Sequence, residues 1–339
     1  MKTLFERDLA DGRRAADVLL APAKQNGTTL NFVDIGARNG SYILPHRYAE
    51  RCRLVGFEPN PEEYEKLVAG RTDAAQAGLR EPDFLDRRYY PVALWRESGE
   101  RELTITRGAG AATLMGEAHV GMSRNLWWDK FDRGRAYYDE VQAPVGTAQV
   151  RCDALDNIWA AEDGLIDILK IDVEGGECAV LQGASKLLSQ RRVLMIRSEF
   201  LLTPYYRDHI LLGHQQVYLD GLGYRLVAFD NDHATYCWKR TSIPQDMDRR
   251  FMYAGDAYFM IDPDLANLDA ERKYRLGLAC VAFGFSASGL NLVRESDWIS
   301  DADIALLEAA ASQKSVGRKL REVWDSVPHV VYRYLSALR

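Results

Sequence analysis

The sequence predicts an α/β fold in which a mostly parallel sheet is covered by helices on both faces. Continuous apolar runs such as LNFVDI (30–35) are typical of strands that are buried on both sides. Helical patterns follow these runs, as PNPEEYEKLVAG (59–70) follows CRLVGFE (52–58). Alternating strands and helices form parallel sheets, whose ligand-binding loops meet at the carboxyl ends of the strands.

Composition limits the class of protein. The 339 residues are 47% hydrophobic and 27% charged, with a net charge of -6, which argues against a disordered chain. The acidic balance does not favour nucleic acid or anionic membranes as partners. Five scattered cysteines without a CxxC pair indicate reduced thiols and a cytoplasmic location. The N-terminus has no apolar signal core.

The elements follow in order from local patterns. Strands are predicted at 30–35, 52–58, 89–95, 101–107, 147–152, 165–172, 192–200, 224–230 and 255–262. Helices are predicted in the first 24 residues, from Ser41, over 59–70, over 177–189, near 208–220 and after residue 262, where Ser300 and Asp303 resemble a helix-start box. The last two strands are expected to pair antiparallel at one edge of the sheet.

Three regions are expected along the chain. Residues 1–27 form an N-terminal helical segment, 28–262 form the main domain, and 263–339 form a helical C-terminal extension. Within the domain, residues 108–146 lack a regular period and are predicted to be a lid or acceptor loop. This loop begins Gly-rich and then carries an aromatic cluster, which comprises Trp127, Trp128, Phe131, Tyr137 and Tyr138.

The extension contains two apolar stretches. Residues 276–293 carry no charge over a length that could span a bilayer, but three Gly, two Ser and one Asn dilute their hydrophobicity. We therefore expect a buried helix and turn, and no transmembrane span. Apolar residues recur at helical spacing over 316–327. They could pack on the domain, form a homo-oligomer contact, or close over an acceptor.

The first candidate site is DIGARNG (34–40), where a strand ends in a Gly-rich turn before a helix. Small residues let a ligand approach the backbone and its free N–H groups. A dinucleotide fingerprint would need a second Gly where Arg38 stands. Asp34 would repel phosphate but could accept from an ammonium group, so a cationic amino-acid tail suits this turn better. An ordinary strand-to-helix turn is the alternative interpretation.

Acids at the ends of three later strands are further candidates. Glu58 ends the second strand, where a carboxylate can bind both hydroxyls of a ribose. Asp172 and Glu174 follow the run IDILKI, and Glu199 ends the next strand. Asp172, Glu174 or Glu199 could act as a base on an acceptor. Glu174 could equally form only a structural hydrogen bond within the turn. No histidine pair has metal-ligand spacing, although carboxylates could hold a divalent metal.

Five blocks together resemble the FkbM-type S-adenosylmethionine-dependent methyltransferases. They are FVDIGARNGSY, GFEPNP, VRCDALDNIW, LKIDVEGGECAVLQGA and SEF, over about residues 28–262. The resemblance implies a Rossmann-like class I methyltransferase fold, with a seven-stranded sheet whose last strand is antiparallel. It also implies S-adenosylmethionine as cofactor and O-methyl transfer to a hydroxyl of a sugar, glycan or natural product.

The resemblance also assigns residues. The cofactor-binding set that it implies is Asp34, Gly36, Ala37, Asn39, Gly40, Glu58, Pro59, Asn60, Ala93, Leu94 and Asp172. The candidate catalytic residues are Asp172, Glu174 and Glu199. Arg38 is bulkier than the small residue expected in this turn. Two alternatives stay open: a non-catalytic binding module that retains the fold, and an NAD-dependent oxidoreductase.

Overall fold

The computed structural model describes residues 3–116, 138–159, 164–202, 204, 206, 208–230, 235–236, 251–252 and 254–312. Four members of the predicted aromatic cluster lie outside the described residues, as does the apolar pattern at 316–327. Of Tyr138, only the backbone is described.

The described strands are β1 (Leu30–Ile35), β2 (Cys52–Phe57), β3 (Asp86–Tyr90), β4 (Ala93–Leu94), β5 (Gly99–Thr106), β6 (Pro144–Asp153), β7 (Ile166–Ile171), β8 (Val193–Leu201), β9 (Tyr224–Asp230), β10 (Thr235–Tyr236), β11 (Phe251–Met252) and β12 (Ala254–Ile261). The helices are α1 (Ala15–Gln25), α2 (His46–Ala49), α3 (Pro61–Val68), α4 (Asp73–Gln76), α5 (Leu155–Trp159), α6 (Glu177–Gly183), α7 (Ser185–Ser189), α8 (Leu212–Gly221), α9 (Pro263–Ala266), α10 (Ala270–Ala282), α11 (Ser286–Glu295) and α12 (Asp301–Ser312).

Seven strands form the main sheet in the order β3-β2-β1-β7-β8-β12-β9. The first five strands in this order are parallel to one another, and β12 runs antiparallel between β8 and β9. Every residue of β1 and of β7 is buried, as their continuous apolar pattern predicts for strands covered on both faces. The antiparallel pairing of the last two strands at one edge is confirmed, and the predicted α/β class holds.

The predicted strand at 89–95 is wrong as a single element. β3 ends at Tyr90, and β4 belongs to a separate three-stranded sheet, in the order β4-β6-β5. Pro91 stands between them, and it has no N–H to continue a ladder. This small sheet matters for the site because β4 and the turn that follows β5 approach the carboxyl edge of the main sheet.

Two predicted helices also differ from those observed. The helix after the Gly-rich turn begins at His46 rather than Ser41, because Pro45 disfavours helical backbone in the residue before it. The predicted helix at 177–189 is two helices, α6 and α7, that meet at Ala184. A Cβ on Gly183 would lie 2.0 Å from the carbonyl oxygen of Trp95, so the end of α6 packs directly on the backbone after β4.

The described part of the C-terminal extension packs on the domain. The Tyr274 hydroxyl of α10 donates to the Leu19 carbonyl of α1 at 2.6 Å. Arg275 forms a buried bidentate ion pair with Asp167 of β7, with both N–O distances at 2.7 Å. A single hydrophobic core includes residues from Leu4 to Ala310. The described parts of the N-terminal segment and of the C-terminal extension therefore help to cover the sheet.

The uncharged stretch at 276–293 forms parts of α10 and α11, which confirms the predicted buried helix and turn. The two helices pack closely at Gly277 and Gly289, where a Cβ on either glycine would clash with the other helix. Among the helices that the structure describes, none is both long and apolar enough to cross a membrane.

Replacing Gly277 by alanine is expected to destabilise the fold by about 1–3 kcal/mol, the usual cost of overpacking. Its Cβ would lie 2.7 Å from both the Gly289 carbonyl oxygen and a Val293 methyl group. Gly213→Ala in α8 is the matched control, because nothing lies within 4 Å of its Cβ position. Because Gly213 is the second residue of α8, the control should change stability by less than about 0.5–1 kcal/mol, the cost of a glycine in mid-helix. Urea unfolding measures both, and equal changes would contradict the close crossing.

Candidate active site

The turn after β1 is fixed by backbone contacts with two neighbouring strands. The amides of Gly36 and Ala37 both donate to the Phe57 carbonyl, each at 3.0 Å. Gly36 has a φ of +85°, and a Cβ there would lie 1.9 Å from the carbonyl oxygen of Asp172. Only glycine fits this left-handed position against the backbone that follows β7. The turn and the end of β7 are therefore in direct backbone contact.

A cavity of about 210 Å³ opens at this edge of the sheet. The predicted site residues that line it are Gly36, Asn39, Gly40, Glu58, Pro59, Ala93, Leu94, Asp172 and Glu174. Asp34, Ala37, Asn60 and Glu199 do not line it. The structure thus brings together residues from the ends of β1, β2 and β7 and from β4. The assignment of each residue to a cofactor or to catalysis stays a prediction.

Three of the residues outside the cavity wall have contacts within the protein. Asp34 is buried, accepts a hydrogen bond from the Ser41 hydroxyl and pairs with the Lys170 ammonium at 3.1 Å. Burial raises the pKa of Asp34, and the Lys170 charge opposes the shift. The Asn60 side chain caps α3 by accepting from the Glu62 amide at 3.1 Å. Ala37 is buried within the turn and is 1% exposed.

Glu58 combines burial with access to the cavity. It is 6% exposed, and its Oε1 accepts from the Asn60 amide at 2.8 Å. Burial raises the pKa of Glu58 to about 7, against the opposing effect of that hydrogen bond. A carboxylate at this place is a strong acceptor for neutral hydroxyl donors once it is ionised.

Arg38, the residue that departs from the expected small side chain, is held by two acids of the following helices. Its guanidinium pairs with Glu63 of α3 at 2.5 Å and with Asp73 of α4. The side chain is 18% exposed and contributes to the cavity wall. These pairs fix the guanidinium, and the turn accommodates its bulk.

Asp172, Glu174 and Glu199 come together at the edge of the cavity. One carboxylate oxygen from each lies within 4.8 Å of the others. Burial, followed by the charges of Asp172 and Glu177, raises the pKa of Glu174 well above its usual range. Burial and the charge of Glu174 do the same for Glu199. Such a cluster could hold a divalent cation through oxygen ligands, or one member could serve as a base.

The backbone at Glu174 is strained in a way that projects this side chain toward the cluster. Its φ is +55°, unfavourable for a residue with a Cβ, and Gly175 follows with a φ of +99°. Glu177 braces the turn, because its Oε1 accepts from the amides of Val173 and Gly175, each at 3.1 Å. The Glu174 carbonyl accepts from the Thr113 hydroxyl at 2.7 Å.

The segment after β5 supplies one wall of the cavity. Ala109–Ala111 forms a 3-10 turn, and Ala109, Gly110, Ala112 and Leu114 line the cavity. This is the first part of the predicted lid or acceptor loop, and residues 117–137 of that loop lie outside the described part of the chain. Small residues here keep the wall close to the turn after β1.

Sequence reasoning missed Lys170 and Trp95, which both line the cavity. The signal for Lys170 was a charged residue within a strand that is otherwise mostly apolar. Trp95 is 7% exposed, and its indole nitrogen finds no hydrogen-bond partner in the part of the chain that the structure describes. The buried Asn39 Oδ1 likewise has no donor among the described residues.

The strand order and the cavity at the carboxyl ends of β1 and β7 define a Rossmann-like class I methyltransferase fold. The family model for the methyltransferase FkbM domain matches residues 34–226, more than half of the chain. The chain therefore belongs to the FkbM methyltransferase family, as the sequence blocks predicted.

Other comparisons add little. No curated protein matches the chain. One solved structure that matches is a Pyrococcus horikoshii protein described as a candidate RNA methyltransferase. It shares 9% identity, covers 77% of this chain and 88% of its own, and superposes with a TM-score of 0.29. Similarity at that level supports no statement about substrate.

Proposed function

We propose that this protein transfers a methyl group from S-adenosylmethionine to a hydroxyl of a sugar, glycan or natural product. The observation that carries the proposal is one cavity where the Gly36 turn and Glu58 meet the carboxylates of Asp172 and Glu174. Family membership supports methyl transfer and the cofactor. The hydroxyl acceptor is inferred from the acids, because a weakly acidic hydroxyl needs a proton acceptor or a metal to react.

The residues present fit the cofactor. Gly36 and Gly40 line the cavity without side chains, so a ligand can approach the backbone of the turn. The buried Asn39 Oδ1, unpartnered among the described residues, is available to an N–H or ammonium donor. Glu58 would accept from ribose hydroxyls, Pro59 with Ala93 and Leu94 would border the adenine, and Asp172 would face the amino-acid part.

The chain's own residues would position the acceptor and take its proton. When bound, S-adenosylmethionine supplies an electrophilic methyl group. Glu174, which lines the cavity, would accept the hydroxyl proton. Glu199, whose carboxylate lies within 4.8 Å of those of Glu174 and Asp172, would orient the acceptor. Holding an acceptor in line with the methyl group can lower the activation barrier by on the order of 7 kcal/mol or more in well-oriented systems.

Calorimetric titration with S-adenosylmethionine and, separately, with NAD tests the cofactor. Saturable binding of S-adenosylmethionine alone is the expected result. NAD binding alone would revive the oxidoreductase alternative. Binding of S-adenosylmethionine without transfer of radiolabelled methyl to any member of a panel of glycans and hydroxylated small molecules would favour the non-catalytic binding module.

We also propose a small-molecule or glycan partner and a cytoplasmic location. Cys52, Cys152, Cys178 and Cys280 are buried free thiols, which suits a reducing compartment. Homo-oligomerisation through the C-terminal helices stays a prediction, and light scattering on the full chain would test it.

Cofactor affinity is expected to depend on pH through Glu58. Because the pKa of this carboxyl is about 7, the free protein carries it mostly protonated below that pH. Ionised Glu58 is the better ribose acceptor, so affinity should rise with pH through neutrality and level off by about pH 8. Below the pKa, the dissociation constant should increase by up to about tenfold per pH unit.

Glu58→Gln is the matched variant for this measurement, since it keeps the shape and one acceptor oxygen but cannot ionise. Its affinity should be roughly tenfold lower at high pH and nearly independent of pH. Calorimetry across the range measures both proteins. A wild-type affinity that is flat between about pH 6 and pH 8 would exclude Glu58 from the ribose contact.

A further inference from the structure

Lys170 is a buried cation at the centre of the candidate site. Its ammonium lies 3.1 Å from Oδ1 of Asp34 and 3.3 Å from Oδ2 of Asp172, and it donates to the Gly36 carbonyl at 3.1 Å. The ammonium thus has one hydrogen bond, to a backbone carbonyl, and two ion pairs, to carboxylates. The side chain is only 11% exposed, so protein groups rather than bulk water solvate most of the ammonium.

The three acceptors come from two parts of the chain that meet beside the cavity. Asp34 belongs to β1 and Gly36 to the turn after it, and Asp172 follows β7. Gly36 and Asp172 line the cavity, whereas Asp34 does not. Backbone contact already aligns the two segments, since the Asp172 amide donates to Ile35 at 3.0 Å. Among the described residues, Lys170 is the side chain that fixes the Asp172 carboxylate against the turn.

The charge balance of this group suits a cationic ligand. Burial disfavours the ammonium, but the neighbouring carboxylates of Asp34 and Asp172 raise the pKa of Lys170 above its ordinary value. One cation against two carboxylates leaves a net negative charge beside the cavity. That charge complements the cationic groups of the proposed cofactor.

We propose that Lys170 is a positioning residue for cofactor binding, which holds the Asp172 carboxylate and the Gly36 carbonyl in the orientation that the cofactor contacts. Lys170 acts through Asp172 rather than through direct contact with the ligand. The inference rests on the proposed function and deepens it, because it assigns a role to a residue of the LKIDVEGG block that has no role among the predicted site residues.

A double-mutant cycle on S-adenosylmethionine affinity tests this role. The variants are Lys170→Met, Asp172→Asn and the pair, with dissociation constants from calorimetry. Each single change should weaken binding by about tenfold or more, and the double variant should be no weaker than Lys170→Met. Lys170→Arg retains the charge and should recover most of the affinity. Rescue by arginine is not expected if lysine only fills space.

Ser41→Ala is the matched control, because it removes the other partner of Asp34 and leaves the Lys170 contacts in place. Its affinity should stay within about threefold of wild type. Thermal melts monitor folding in every variant. Since loss of a buried cation can unfold a chain, Lys170→Gln, which keeps a donor without the charge, repeats the comparison.

Each outcome decides a separate point. Additive losses in the cycle, or a loss in Ser41→Ala equal to that in Lys170→Met, would overturn the positioning role while the methyltransferase proposal stands. Absence of S-adenosylmethionine binding by the folded wild-type protein would remove the proposed function, and the role of Lys170 with it. Non-additive losses with arginine rescue would establish the role.

Discussion

Replacing Glu174 by glutamine is expected to lower the rate of methyl transfer by about 10²–10⁴-fold, the usual contribution of a positioned base. Glutamine has nearly the same size but cannot take up the acceptor proton. The cofactor dissociation constant should change by less than about threefold, because the predicted ribose and methionine contacts involve other residues. Single-turnover transfer of radiolabelled methyl to an acceptor from the screen measures the rate.

The stability of the same variant shows whether a loss of turnover comes from catalysis or from misfolding. Glu174 is half-buried beside Asp172, and its pKa is raised well above the usual range, so its ionisation in the folded state is unfavourable. For such a group, stability falls as pH rises from the unfolded pKa through the folded pKa. Removing the carboxyl should therefore leave the protein at least as stable as wild type at alkaline pH.

Comparison with Glu199→Gln separates a base from a metal site. If Glu174 is the base, Glu174→Gln should lower turnover more than Glu199→Gln does. Chelation of divalent ions should then leave wild-type turnover intact. If the three carboxylates hold a cation, chelation should abolish turnover, added Mg²⁺ or Mn²⁺ should restore it, and both variants should need more metal. Unchanged turnover in Glu174→Gln would show that Glu174 is not a catalytic residue.

Replacing Gly36 by alanine is expected to destabilise the fold by about 4 kcal/mol or more. The φ of +85° disfavours any side chain, and the new Cβ would lie 1.9 Å from the Asp172 carbonyl oxygen. Relief would require the turn and the end of β7 to separate, and both segments line the cavity. Any protein that still folds should therefore bind S-adenosylmethionine weakly.

Gly27→Ala is the control that isolates the clash. Gly27 has a φ of +65°, but nothing lies within 4 Å of its Cβ position. It should lose only the cost of left-handed backbone, about 1–2 kcal/mol. Urea unfolding of the two variants gives the difference. Equal losses would show that the backbone contact between Gly36 and Asp172 does not constrain the fold.

Much of the fold could be predicted because local pattern and burial agree. The runs at 30–35 and 224–230 coincide with β1 and β9, since continuous apolar or alternating segments of that length have few other stable conformations. The errors fell where a local feature interrupts a run. Pro91 ends β3 and passes the chain to another sheet, and Pro45 delays the helix after the turn.

Part of the candidate site could be predicted for a similar reason. Gly36, Glu58, Asp172 and Glu174 stand at strand ends, and the carboxyl ends of parallel strands share one edge of the sheet. The partners of these residues could not be predicted, because they come from distant positions. Examples are Thr113, which donates to the Glu174 carbonyl, and Lys170, which donates to the Gly36 carbonyl.

The sequence by itself determined the α/β class, the family and the strand ends that carry the acids, because these follow from apolar periodicity and from short contiguous motifs. Only the tertiary structure decided which of these residues face the cavity and which are held inside the protein. Asp34 pairs with Lys170, and Asn60 caps α3. The physical reason is that burial and charge compensation depend on neighbours supplied by strand register and packing, which a linear pattern does not encode.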